Sequence, residues 1–227
     1  MWRAYLCAIE CDPVRMERDL MSFGPQVPNL LICFDASLEG YGIAICAVPP
    51  EGVLGDEWQH LIAYTALEVP FAIRTQSTRT ESSYQNHCEF VAIVIGLWLA
   101  GRMGYKNVSY ALKGDSVSAL TWANDDRAKS TICRTASICF SLLSVHLNVT
   151  VAEVVHVPGV DNIICDGLSR GLHAEELGLP TDKYIDFKQD ARGMEFLRHC
   201  DPLLSIGDVY SHVAWIRVLN AILADLV

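Results

Sequence analysis

Four acids in this chain stand where regular elements begin or end: Asp35, Glu89, Asp115 and Asp166. Asp35 closes a near-continuous apolar run, Leu30-Leu31-Ile32-Cys33-Phe34, that reads as a strand buried on both faces. An uncompensated buried carboxylate costs a large part of a domain's stability, so Asp35 needs a partner, a sheet end or a cation. Gathered at one point, four carboxylates repel one another, and either some take up protons or divalent cations neutralise them. Oxygen ligands without His or Cys favour Mg²⁺ or Mn²⁺ over zinc, and two such ions about 4 Å apart clamp the attacking and leaving oxygens of a phosphodiester. Singly, three of the acids have plainer readings. Asp115 suits a helix N-cap, Glu89 complements a helix dipole, and Asp166 fits a solvated helix position. Asp35 is the hardest of the four to dismiss in this way.

The elements that must position these acids follow from the pattern along the chain. Residues 1–27 form an N-terminal lead-in with a weak helical pattern (Met16, Leu20, Met21), ended by Gly24-Pro25-Gln26-Val27-Pro28. The first strand ends near Phe34, a turn spans Ser37 to Gly40, and a second strand covers Tyr41 to Val48. A turn at Pro49-Pro50-Glu51-Gly52 leads to a third strand over Trp58 to Tyr64, giving an antiparallel meander. After a polar, Thr/Ser-rich loop from Val69 to Ser83, a long helix begins near Tyr84. Glu89, Ala92, Gly96 and Ala100 share one of its faces, a small-residue stripe that lets the helix approach a sheet closely, headed by a carboxylate.

Gly101 and Gly104 end that helix. A fourth strand runs from Asn107 to Lys113 and stops at Gly114-Asp115-Ser116, where a helix through Val117, Leu120 and Trp122 takes over. Another helix covers about Ala128 to His146, a fifth strand Val149 to Val157, and a last short helix Asn162 to Ser169, capped at Asp161 or Asn162. Two parallel strands side by side, with the first helix crossing behind them, bring all four acids together. Beyond Gly171 the pattern turns mixed and polar before an amphipathic helix at Val209 to Val227, which reads as an extension packed on the domain or on a partner.

About half of the 227 residues are apolar, enough for one domain with a real core and an appendage. The longest apolar stretch, Phe90 to Ala100, falls short of the roughly 20 residues a membrane span needs, so no membrane association is expected. No secretory signal is visible at the N-terminus, and the expected location is intracellular, cytoplasmic or nuclear. Nine cysteines without any Cys-x-x-Cys pair suggest buried thiols rather than disulfides or a zinc site. The formal charge of −10 argues against gripping nucleic acid by bulk electrostatics; it suits a cation site, or a fragment whose basic surface lies on a neighbouring domain.

Four pieces of sequence resemble the ribonuclease H domain of reverse-transcribing elements, within the type 1 ribonuclease H group. They are Asp35-Ala36-Ser37-x-x-Gly40-Tyr41-Gly42, Asn86-x-x-Glu89-Phe90-x-Ala92, Gly114-Asp115-Ser116, and His156-Val157-Pro158-Gly159-x-x-Asn162-x-x-Cys165-Asp166-x-Leu168-Ser169-Arg170. They occur in that family's order and spacing over about residues 28–171, and the last is most similar to gypsy-like and DIRS-like retroelements. The resemblance implies an α/β, ribonuclease H-like fold: a five-stranded mixed sheet, three antiparallel strands then two parallel, flanked by helices. The helical extension at 172–227 lies outside it. It further implies that Asp35, Glu89, Asp115 and Asp166 hold two Mg²⁺ (or Mn²⁺) ions and hydrolyse the RNA strand of an RNA–DNA hybrid. Asn86, one helical turn before Glu89, matches an asparagine that contacts substrate near the cut, where an amide can bond a ribose 2′-OH. The hairpin at Ser37 and Gly40 would offer backbone groups to the substrate's edge. An upstream polymerase domain of the same polyprotein is the implied partner.

The chain departs from the cellular members in two ways. Their mobile loop with a His before the last acid is cut here to Val160-Asp161, and His156, on the preceding strand, reads as structural. Their basic helical protrusion is reduced to Arg127, Lys129 and Arg134. Both losses predict weak independent substrate binding. Competing readings are a DDE integrase or transposase using Asp35, Asp115 and Glu153, an actin- or hexokinase-like ATPase, and a decayed ribonuclease H-like binding module. The first leaves Glu89 and Asp166 unused, and the second lacks a later phosphate loop.

Overall fold

An apolar strand must be covered on both faces, and Leu30–Ala36 (β1) is buried along its whole length. In the computed structural model, which describes residues 27–49, 52, 57–69, 82–125 and 133–201, β1 is the centre of a five-stranded sheet. Its other strands are Gly40–Ala47 (β2), Leu61–Glu68 (β3), Ser109–Gly114 (β4) and Thr150–His156 (β5), in the order β3-β2-β1-β4-β5. β1, β2 and β3 pair antiparallel; β4 joins β1 and β5 joins β4 in parallel. The expected mixed sheet, three antiparallel strands then two parallel, is therefore observed.

Alternation along β1 divides the core. Leu30, Ile32, Phe34 and Ala36 face a layer built by helices Ser82–Arg102 (α1), Val117–Asn124 (α2) and Arg134–Leu147 (α3). Leu31 and Cys33 face the other side, where the short helix Ile163–Ser169 (α4) packs through Cys165 and Leu168. By the same alternation Asp35 belongs to the α4 side. All seven cysteines among the described residues are buried free thiols, in line with the sequence reading. Among those residues no helix is long and apolar enough to cross a membrane.

The small-residue stripe on α1 fixes how close the helix comes. A Cβ added to Gly96 would lie 2.5 Å from Ile32 Cγ2 and 3.2 Å from Ile43 Cγ2. Seven residues of helix from Gly96 back to Glu89 span about 10.5 Å, and three residues of strand from Ile32 to Asp35 span about 10 Å. Seating Gly96 on Ile32 therefore brings Glu89 level with Asp35. Gly96→Val is expected to cost about 2–3 kcal/mol, by forcing α1 off the sheet, and urea unfolding would read it as a lowered midpoint.

The third strand begins later than the pattern suggests. Glu57–His60 is a 3₁₀ turn and β3 starts at Leu61, because Glu57 turns inward and pairs with Lys113 of β4. The helix expected from Ala128 is described from Arg134, with 126–132 outside the described residues. So are the lead-in up to residue 26 and the terminal helix at Val209 to Val227.

The described part of the extension lies on the sheet and on α1. Ile185 N donates to Tyr64 O (2.9 Å) and Thr65 Oγ1 to Ile185 O (2.7 Å), tying the extension to β3. Its helix Ala191–Cys200 (α5) sets Phe196 against Trp98 of α1, ring centroids 4.6 Å apart and stacked. Trp98 Nε1 donates to Asp190 Oδ2 at 2.9 Å.

Candidate functional site

Parallel pairing puts the ends of β1 and β4 side by side. Cys33 faces Lys113 in register, so Asp35 and Asp115, each two residues further on, reach the same level at the carboxyl ends of the strands. Glu89 descends on them from α1. One carboxylate oxygen from each of Asp35, Glu89 and Asp115 lies within 4.8 Å of the others. Asp35 and Glu89 are buried, Asp115 partly so.

Each acid is held by its own element. Glu89 Oε2 accepts from the Ala36 backbone N–H at 3.1 Å, and Oε1 from Gln85 Nε2 at 3.2 Å, while Gln85 also donates to Ala36 O at 2.5 Å. Gln85 stands one helical turn before Glu89 and so locks it to the end of β1. Asp35 Oδ2 accepts from Ser169 Oγ (2.6 Å), and Asn162 Nδ2 donates to Phe34 O (3.1 Å) and to Asp35 Oδ1 (3.4 Å). Asp115 is not a helix cap; Ser116 caps α2, accepting from Ala119 N at 3.3 Å, and leaves Asp115 facing the cluster. Gly159 backs onto it so closely that an added Cβ would stand 2.9 Å from Asp115 Oδ2.

Burial pushes the Asp35 carboxyl up to about 7; the Ser169 hydroxyl pulls it down, Asp115 and Asp166 push it further up, and Arg170 offsets part of this. Burial likewise raises Glu89 well above the usual carboxylate range, with Asp35 and Asp115 adding to it against the hydrogen bonds from Gln85 and Ala36. The residues therefore form a set of oxygen ligands that carry their full charge only at a cost, which a divalent cation would remove. No Cys or His belongs to the set.

The fourth acid sits apart from the three. Asp166, on α4, pairs with Arg170 one turn later, Nη2 at 2.7 Å and Nε at 2.8 Å from Oδ1. It still faces Asp35 closely enough to disfavour a second negative charge there. Glu153, which the integrase reading required, is an exposed residue of β5 opposite Ala111 and is not in the cluster. His156 is exposed at the end of β5, with Nε2 3.1 Å from the Asp115 backbone oxygen, where it braces the strand end.

The residues expected to meet substrate divide in the same way. Asn86 lies half-buried on the second turn of α1, three residues before Glu89. Ser37 instead serves the hairpin: its Oγ accepts from Glu39 N and Gly40 N and donates to Ser169 O at 2.7 Å. Gly40 is occupied by the sheet, its carbonyl accepting from Ser37 N and its backbone paired with Glu68. Arg127 and Lys129 lie outside the described residues, and Arg134 is exposed at the start of α3. Gln85, Asn162 and Ser169 were not singled out from the sequence as contributors to the site. Two of them stood within the quoted pieces, and Gln85 was signalled only by its spacing of four from Glu89.

No protein-family profile matches the chain, and no curated protein does. Among solved structures it is similar to RNase H1 from the halophilic archaeon Halobacterium salinarum, at 17% identity and a TM-score of 0.41, over 61% of this chain and 92% of that one. It is similar also to LC11-RNase H1, isolated from compost by a metagenomic approach (14%, TM-score 0.45, 66% and 99%). A third is the N-terminal RNase H domain of a Mycobacterium tuberculosis protein, solved as a fusion with maltose-binding protein (15%, TM-score 0.44, 63% and 97%).

Proposed function

We propose that the chain is a metal-dependent ribonuclease of the ribonuclease H type, cutting the RNA strand of an RNA–DNA hybrid as part of a retroelement reverse transcriptase. The observation that carries this reading is the meeting of Asp35, Glu89 and Asp115 at the carboxyl ends of two parallel strands, the first two buried and the third partly so, with oxygens within 4.8 Å. Asp35, Glu89 and Asp115 would hold one Mg²⁺ or Mn²⁺, and Asp166 would contribute to a second. Bound there, such ions polarise a phosphodiester and lower the pKa of an attacking water.

The chain's own residues do the rest. Gln85 and the Ala36 amide fix Glu89, so the ligand geometry is set before substrate arrives. Asn86 offers its amide to a ribose 2′-OH near the cut, which is the group that separates RNA from DNA. With a net charge of −10, grip on the duplex would come chiefly from a basic neighbouring domain, the upstream polymerase.

The test uses a hybrid with a labelled RNA strand, incubated with Mg²⁺ or Mn²⁺. Cleavage of the RNA strand is expected from the natural chain. Asp115→Asn should lower it by about 10²–10³-fold, the loss that follows removal of one preorganised electrostatic group, with the circular dichroism spectrum retained. Joining of DNA ends would favour the integrase reading instead. A folded protein that neither cleaves nor binds Mn²⁺ in calorimetry would overturn both.

A further inference from the structure

We propose that Ser169 is a positioning residue that fixes the Asp35 carboxylate for cation binding, acting from α4 together with Asn162. The inference rests on the metal-site reading above and adds a role to it. A carboxylate can turn about its last bond, and a ligand that turns must be reordered at each binding event. Asp35 is prevented from turning. Its Oδ2 receives the Ser169 hydroxyl at 2.6 Å, a short charge-assisted contact in a buried setting where Ser169 is 1% exposed. Its Oδ1 has only the long 3.4 Å contact with Asn162 Nδ2 and is the less engaged oxygen.

Ser169 is itself immobilised. Its carbonyl accepts from Ser37 Oγ, and its Oγ stands 2.9 Å from Asp166 O on the same helix. Its backbone nitrogen lies so close to β2 that a Cβ added to Gly42 would be 2.7 Å from it. The one hydroxyl proton of Ser169 serves Asp35 Oδ2, the shorter of the two contacts, while the Asp166 carbonyl lies beside the same oxygen. Asn162 points to the same purpose: it occupies the N-cap of α4 yet makes no side-chain cap bond, its amide going to the end of β1 instead. A residue type whose usual use at that position is to cap the helix has been turned toward Asp35. The two ends of α4 therefore clasp one acid while its middle carries another.

Mn²⁺ titration calorimetry on the full chain tests this. Ser169→Ala is expected to weaken Mn²⁺ binding by about 10–100-fold, the usual effect of losing a group that orients a metal ligand. Ser169→Thr, which keeps the hydroxyl, should stay within about threefold of the natural chain, and Ser169→Cys, similar in size but a weak donor, should fall between. In cleavage assays Ser169→Ala should need more Mn²⁺ for half-maximal rate and recover most of its rate at saturation. A purely structural hydroxyl would lower stability while leaving Mn²⁺ affinity unchanged, and that result in Ala or Cys overturns the proposal. If the natural chain itself binds no Mn²⁺, the metal-site reading fails and the proposal with it, an outcome distinct from equal binding by natural and variant chains.

Discussion

Asp35→Asn is expected to make the metal-free protein more stable than the natural chain, by about 2–4 kcal/mol above pH 7, while removing its response to divalent cations. The sign follows from the direction of the shift. Asp35 is raised from 3.8 to about 7 in the folded state, chiefly by burial. Above about pH 7 the folded protein must carry a buried charge that the unfolded chain carries in water. As the pH falls from 7 toward 4 the folded state binds a proton that the unfolded state does not, so stability rises; below about 4 both states are protonated and the difference is gone. A shift of about three units corresponds to about 4 kcal/mol at most, since each unit is worth about 1.4 kcal/mol. Asparagine accommodates the hydrogen bonds: its oxygen can accept from Asn162, and its amide can donate to Ser169 Oγ, which in turn can donate to Asp166 O 2.9 Å away. Urea unfolding in EDTA at pH 5, 7 and 8.5 checks this. The natural chain should weaken with rising pH and regain stability with Mn²⁺, while Asp35→Asn should depend less on both. An asparagine variant less stable than the natural chain at pH 8.5 would mean that Asp35 is structural.

Asp35 was legible because an acid in an apolar run is anomalous wherever it occurs, and the Glu89 stripe because helical spacing is local information. Asp115 and Glu153 could both be proposed as partners of Asp35; register decided between them, since Cys33 opposite Lys113 carries Asp115 to the level of Asp35 and leaves Glu153 out on β5. What stayed hidden depends on pairs far apart in the chain. The 3₁₀ turn at Glu57 exists because of Lys113, 56 positions later, and a local reading extends the strand through it. Ser169 could be quoted as part of a motif, but its bond to an acid 134 positions earlier could not. Asp166 was placed on the correct helix, while its pairing with Arg170 was concealed by the ordinary look of an i, i+4 ion pair.

The least legible contact carries the second large effect. Asp201→Ala is expected to destabilise the protein by about 3–5 kcal/mol, more than most single substitutions, although Asp201 lies beyond the stretch that carries the family resemblance. It follows the last turn of α5, in a stretch whose sequence pattern is mixed and polar, and it is fully buried. Its Oδ1 accepts from Tyr84 OH at 2.5 Å and its Oδ2 from Tyr41 OH at 2.9 Å, with His87 Nε2 4.0 Å away. Tyr41 belongs to β2 and pairs with Ala36, the residue after Asp35, while Tyr84 and His87 flank Gln85 and Asn86 on α1. Alanine would take from two buried hydroxyls the acceptor they share and leave a gap beneath the start of α1, whereas Asp201→Asn keeps one acceptor oxygen and should lose about half as much. Shortening the chain after Gly171 removes Asp201, the Asp190 partner of Trp98 and the stacked Phe196 together, so the shortened protein is expected to lose cooperative unfolding. Urea unfolding checks the order: alanine should lower the midpoint more than asparagine, and truncation should broaden the transition until no sharp midpoint remains. A protein ending at Gly171 that unfolds as sharply as the full chain would show the extension to be an accessory. The expected order instead makes it part of what holds Glu89 opposite Asp35, because the same helix turns that carry Gln85 and Glu89 are seated on Asp201.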